Sequence, residues 1–279
     1  MDASDLVVFS MNRKKLLSLL LLALGLTMGC AQAKDVYLVS GQSNSWRLSQ
    51  IRGGDQKLPH TLYYFGMGCT KEPTVAKMVK LDSISEKSMG YGLVMALMEH
   101  AQDDIVLVQY SRCGAGVFNA AKDGWFPGDD PKNGKSFEGG LCASFEKYYR
   151  SAEAIGMAEF DRKWNLKGMF WHQGEGDSRK PDAVESYPTN IRNVFYRIRK
   201  VIGEETPIVM GEVRDLHKNC AKVNQHMHAL AEEDSTVTVV PVQDLTFEEN
   251  GERKNVHFDL KGCIALGKRM VEAHLKMIK

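Results

Sequence analysis

Apolar residues fall into two alternating patterns along most of this chain. Short, nearly unbroken runs rich in Val, Ile, Tyr and Phe occupy 35–40 (DVYLVS), 105–111 (IVLVQYS), 168–173 (GMFWHQ), 207–213 (PIVMGEV) and 236–242 (TVTVVPV). A weaker run stands at 61–66 (TLYYFG). Runs of this kind suit strands covered on both faces, as in a parallel sheet. Between them, apolar positions recur at helical spacing in 91–100, 143–157, 184–202, 220–232 and 262–278. In 184–202 the stripe is Ile191, Val194, Phe195, Ile198 and Val201, and the helix is expected to begin near Thr189 or Asn190, just after Pro188. Alternating strands and helices predict a single doubly wound α/β domain with a central, mostly parallel sheet. The stretch 121–140, rich in Gly, Asp, Lys and Pro, is expected as a long surface loop.

The front of the chain follows neither pattern. Arg13, Lys14 and Lys15 precede an apolar run, Leu16 to Leu26, and small residues follow, ending in CAQA. That order describes a secretory signal peptide over 1–33, cut after Ala33. An alternative is LTMGC as a lipobox with Cys30 lipidated, although Thr27 stands where that pattern usually has a leucine. The run falls short of the roughly 20 apolar residues a membrane span needs. The expectation is therefore an exported protein, periplasmic or extracellular, either free or lipid-anchored through Cys30. Residues 34–279 then make one domain of ordinary size.

Composition narrows the partners. Lys and Arg number 36 against 35 Asp and Glu, a formal net charge of +1. No basic excess calls for a nucleic-acid partner. Besides Cys30, the cysteines are Cys69, Cys113, Cys142, Cys220 and Cys263, with no C-x-x-C pair. Neither a zinc site nor a cofactor is implied. Export permits disulfides, at least one of these five stays unpaired, and the sequence does not assign the rest.

In open α/β sheets, ligands bind beyond the carboxyl ends of the strands. Four segments would deliver polar residues there: Gly41-Gln42-Ser43-Asn44, Ser111-Arg112-Cys113-Gly114-Ala115-Gly116, His172-Gln173-Gly174-Glu175-Gly176-Asp177, and NVHFDLKG with His257 before the last helix. Each alone is ordinary. A serine in such a turn is commonly an N-cap, glycines mark turns, and Asp259 is expected to cap the last helix.

Together the blocks GQSN, a glycine-rich CGA, WHQGE and VHF resemble the SGNH hydrolase superfamily, a flavodoxin-like fold. Within it they resemble the sialate O-acetylesterase and acetylxylan esterase-like branch (carbohydrate esterase family 6 and relatives). The resemblance spans nearly all of 34–279. It implies a serine esterase acting on an acetylated carbohydrate. Ser43 would be the nucleophile, His257 its base, and the backbone N–H groups of Ser43 and Gly114 with the Gln173 amide the oxyanion donors.

Two departures matter. The family commonly carries an aspartate three residues before the histidine, where this chain has Lys254, which cannot accept from an imidazole N–H. Either Ser43 and His257 act as a dyad, or another carboxylate serves. Glu175 is the candidate, Asp177 and Asp215 weaker ones, and Glu175 could equally be a structural tie within its loop. The second departure is Cys113, whose side chain adds bulk beside the expected oxyanion donors. Arg47 and Arg112 lie near enough in sequence to meet a substrate carboxylate, though structural ion pairs are the commoner use of such residues. Two rival readings stay open: a glycan-binding protein on a degenerate esterase fold, which Lys254 favours, and a lipase of the same superfamily, which GQSN and WHQGE disfavour.

Overall fold

A computed structural model describes residues 33–69, 75–118, 124–125, 129–130, 135–136, 140–250 and 253–279, with backbone alone at 129–130, 135–136, 250 and 253–254. The expected signal segment, including Cys30, lies outside these residues except for Ala33. β1 (Lys34–Gly41) leads into a six-residue helix, α1 (Ser43–Leu48). β2 (Gln56–Phe65), β3 (Met78–Ile84), α2 (Tyr91–Met98) and β4 (Ile105–Ser111) follow. Two-residue strands β5 (Asp129–Asp130) and β6 (Lys135–Ser136) precede α3 (Leu141–Phe160), β7 (Trp164–His172), a 3-10 turn (Asp177–Arg179) and α4 (Pro181–Ile202). Next come β8 (Ile208–Gly211), α5 (Lys218–Glu233) and β9 (Val237–Val240). The hairpin β10 (Phe247–Asn250) and β11 (Arg253–Phe258) leads into α6 (Leu260–Met277).

Seven strands form the central sheet in the order β3-β2-β4-β1-β7-β8-β9. All are parallel except β3, which pairs antiparallel with β2 at one edge. The chain builds outward from β1 on one side, then crosses to build on the other, so β1 stands at the switch point where such sheets bind ligands. Gly41 is in register with Ser111 on β4 and His172 on β7. The three middle strands therefore end level, and the loops that leave them start from one line.

Two apolar layers hold this sheet. On one face Val36, Leu38, Val106, Val108, Met169, Trp171 and Ile208 pack against α3, α4 and α5. On the other, Val39, Ile105, Leu107, Phe170 and Val209 pack against α2 and α6. Residues of opposite parity point to opposite faces, so strands buried on both sides show no polar alternation. That is the pattern the runs carry. Among the described residues no helix is long and apolar enough to cross a membrane.

Three expectations need correction. The helix at 184–202 begins at Pro181 and carries Pro188 inside it. An internal proline costs about 3 kcal/mol through its missing N–H and a clash with the preceding turn. Ahead of it, however, Ala183, Val184 and Tyr187 are buried in the core, and each large apolar side chain buried contributes about 1.5–3 kcal/mol. Packing wins, and Pro181 starts the helix where its fixed φ is favourable and no N–H is needed. Second, the weak run at 61–66 is a strand as expected but begins earlier, at Gln56; its edge partner β3 and the β10–β11 hairpin, not expected, carry too little apolar content to announce themselves. Third, the expected surface loop at 121–140 includes Trp125, whose ring is fully buried among Tyr110, Phe145 and Trp171. Asp259 caps α6 as expected, accepting from Gly262 N at 2.7 Å.

Candidate active site

The site is built on the turn that ends β1. Gly41 has φ +129°, and a Cβ there would stand 2.1 Å from His172 O. Only glycine lets β1 turn this close to β7. Gln42 N donates to His172 O at 2.9 Å, and Gln42 Oε1 accepts from Gly174 N and Gly176 N at 3.4 and 3.2 Å. Gly41 O accepts from Arg112 N at 3.1 Å and from Trp125 Nε1 at 2.9 Å. The turn is thus fastened to the loops after β4 and β7 before Ser43 is reached. Trp125 was not read as part of the site, and its only signal was a lone tryptophan in a polar stretch.

Ser43 opens α1, and its Oγ lies 3.0 Å from His257 Nε2 at the end of β11. Residues 214 apart in sequence meet here. Next to it, Asn44 is buried and fully bonded. Its Nδ2 donates to Glu175 Oε1 at 2.6 Å and to Val256 O at 2.9 Å, and its Oδ1 accepts from Phe258 N at 3.3 Å. Glu175, expected to touch the imidazole, instead meets Asn44, with His172 Nδ1 3.5 Å from the same oxygen. Among the described residues no carboxylate is within hydrogen-bond distance of His257 Nδ1. Asp177 is occupied elsewhere, Asp215 is exposed, and the Lys254 side chain lies outside the described residues.

The loop after β4 presents Gly114 at φ +75°, with open space where a side chain would be. Neither Gly114 N nor Ser43 N has a partner among the described residues. Gln173 is different. It is fully buried, and its Nε2 donates to Ala115 O at 3.1 Å and to Asp177 Oδ2. Its amide braces the loop from beneath and does not face the open side, contrary to the expectation of a third oxyanion donor. Asp177 accepts from Val117 N at 3.1 Å and Phe118 N at 3.0 Å, completing the brace. Burial pushes its carboxyl up to about 6 against those donors, Gln173 first among them.

Cys113, expected to add bulk beside the oxyanion donors, is bonded to Cys69. Cys142, Cys220 and Cys263 are free and buried. The disulfide spans 44 residues and ties the end of β2 to the residue before Gly114. Closing a loop of that size is worth about 4 kcal/mol by the chain-entropy account. The double variant Cys69→Ser/Cys113→Ser is expected to lose much of that in urea unfolding, and ester turnover several-fold with it. Unchanged turnover would show that the Gln173–Asp177 brace positions Gly114 without the disulfide.

Charge around the pair is positive. His257 is held below its ordinary value by burial first and then by Arg47, with Glu175 opposing and Arg179 adding to the effect. The imidazole is therefore neutral near pH 7 and free to accept a proton. Arg47 is itself ion-paired with Glu248 on β10, a structural bridge between α1 and the hairpin. Arg179, on the 3-10 turn, is exposed and has no ion-pair partner among the described residues. No group of three His, Cys, Asp or Glu residues among those described could hold a metal ion.

The class follows from the family to which the sequence is matched: a carboxylic-ester hydrolase. The family model described as carbohydrate esterase, sialic acid-specific acetylesterase, matches residues 33–276, and the chain belongs to that family. No curated protein matches the chain by sequence. Among solved structures it is similar to NanS, at 12% identity and TM-score 0.61, covering 89% of this chain and 98% of that one. It is also similar to a protein from Arabidopsis thaliana, at 16% identity and TM-score 0.58, covering 88% and 99%. A third is a carbohydrate acetylesterase from Xanthomonas citri, at 14% identity and TM-score 0.54, covering 86% of this chain and 55% of that one. At such identities these likenesses speak for the fold.

Proposed function

We propose that this chain removes O-acetyl groups from a carbohydrate, with Ser43 as nucleophile and His257 as general base and acid. The observation that carries the reading is the 3.0 Å separation of Ser43 Oγ and His257 Nε2. With the imidazole proton on Nδ1, Nε2 accepts from the serine hydroxyl. Oγ bonds to the acetyl carbonyl carbon, and its proton passes to Nε2. The carbonyl oxygen takes the negative charge, facing the N–H groups of Ser43 and Gly114. The C–O bond to the sugar then breaks, and His257 returns the proton to the leaving sugar oxygen. Water repeats the sequence on acetyl-Ser43, giving acetate and free serine.

We further infer an acidic sugar as the preferred substrate, with the Arg179 guanidinium meeting its carboxylate. Arg47 is committed to Glu248, and Arg179 is exposed on the 3-10 turn that follows the Gln173–Gly176 loop beside Ser43. Arginine suits a planar carboxylate through paired N–H donors. The test is acetate release from O-acetylated sialic acid, acetylated xylan and an aryl acetate. Arg179→Gln is expected to raise KM about tenfold for the acidic sugar, the scale of one charge-assisted contact, and to leave the aryl acetate unchanged. Equal effects on acidic and neutral substrates would sink the acidic-sugar reading, and absent turnover on all three would sink the esterase. The Cys69–Cys113 disulfide supports export to an oxidising compartment, periplasmic or extracellular.

A further inference from the structure

Among the described residues no carboxylate meets the other nitrogen of His257, and the ring is held in place by other means. The hydrogen bonds around Asn44 supply the means. Its Nδ2 donates to Val256 O and its Oδ1 accepts from Phe258 N, so one carboxamide grips the backbone on both sides of His257. The second Nδ2 hydrogen goes to Glu175 Oε1 at 2.6 Å. A carboxamide offers two N–H donors and one oxygen. With all three in use, and the side chain only 1% exposed, its orientation is fixed. Asn44 also follows Ser43 directly on α1, so the nucleophile and the grip move as one piece.

We propose that Asn44, oriented by the Glu175 carboxylate, is a positioning residue that keeps His257 in register with Ser43, filling the role of an acid bonded to the imidazole. The proposal rests on the Ser43–His257 reading above. The hairpin end is steadied further by His257 N donating to Asn255 Oδ1 at 3.0 Å and by Arg214 Nη1 donating to Asn255 O at 2.6 Å. Glu175 has a second, weaker influence: its negative charge favours the protonated imidazole against Arg47 and Arg179. The two roles separate by substitution. Glutamine at 175 keeps an oxygen for Asn44 and removes the charge; alanine removes both.

Asn44→Ala, Glu175→Gln, Glu175→Ala and Ser43→Ala are to be compared on an aryl acetate for kcat, KM and the pH profile. Asn44→Ala is expected to lower kcat about 100-fold, the cost of a misplacement near 1 Å, with KM within about threefold. Glu175→Gln should lose no more than about tenfold, while the acid limb of kcat/KM moves to lower pH because the charge that raised the imidazole is gone. Glu175→Ala should resemble Asn44→Ala. A folded Asn44→Ala with kcat within threefold of wild type overturns the proposal. If Asn44→Ala does not fold, the Glu175 pair decides: rescue by glutamine supports it, and equal losses in both overturn it. Turnover retained in Ser43→Ala would remove the underlying reading, whereas its loss there with full activity in Asn44→Ala removes this proposal alone.

Discussion

Replacing Ser43 with alanine is expected to lower acetyl-ester turnover by roughly 10⁴-fold or more while leaving the protein folded. The chemistry assigned to Ser43 has no substitute nearby. Ser45, the other hydroxyl on this face of the turn, donates to Gln42 O and sits 2.8 Å from Ser111 Oγ, inside the protein. Among the described residues Ser43 makes a single side-chain hydrogen bond, to His257. A loss of about 1 kcal/mol follows, a shift of about 2–4 °C in Tm for a domain of this size. Acetate release and a thermal melt on the same preparation check both halves. Substantial turnover by the folded variant would end the serine-nucleophile assignment.

The second large effect lies two residues earlier, at Gly41, and acts through the backbone. Gly41→Ala is expected to destabilise the fold by about 3 kcal/mol or more and to abolish most activity. Two penalties add at this position. The residue occupies φ +129°, where side chains are strained, and the new Cβ would stand 2.1 Å from His172 O. His172 is not a flexible tip that can step aside, since it ends the neighbouring strand and lies wholly buried. Relief requires β1 and β7 to part at the end where Ser43 is presented. Because Gln42 joins the same carbonyl and both glycine N–H groups of the next loop, that parting would carry Glu175 and Asn44 with it. Urea unfolding and turnover measured on Gly41→Ala check this. A variant of unchanged midpoint and activity would show that the strands separate at little cost.

How far a residue's role could be read in advance depended on whether it acts through its own chain neighbourhood or through a distant one. The strands beneath the site were plain because burial on both faces leaves uninterrupted apolar runs, as at 105–111. The edge strand β3 and the hairpin that carries His257 were not, since one side of each is wet and their residues are mixed. Pro188 misled for a related reason. Local backbone chemistry argues for a helix start there, and only the core against Val184 and Tyr187 shows why the helix continues through it.

The chain's order of residues was enough to establish a doubly wound α/β domain, a four-block resemblance to sugar esterases, and a serine and a histidine as the pair to watch. Those features rest on periodicity and residue type, which are local. Three matters were settled by the folded structure: that Cys113 bonds Cys69, that the Gln173 amide faces inward, and that Glu175 meets Asn44 rather than the imidazole. Each is a choice among partners far apart in sequence, decided by side-chain directions within hydrogen-bond distance, and residue order alone carries no record of those directions.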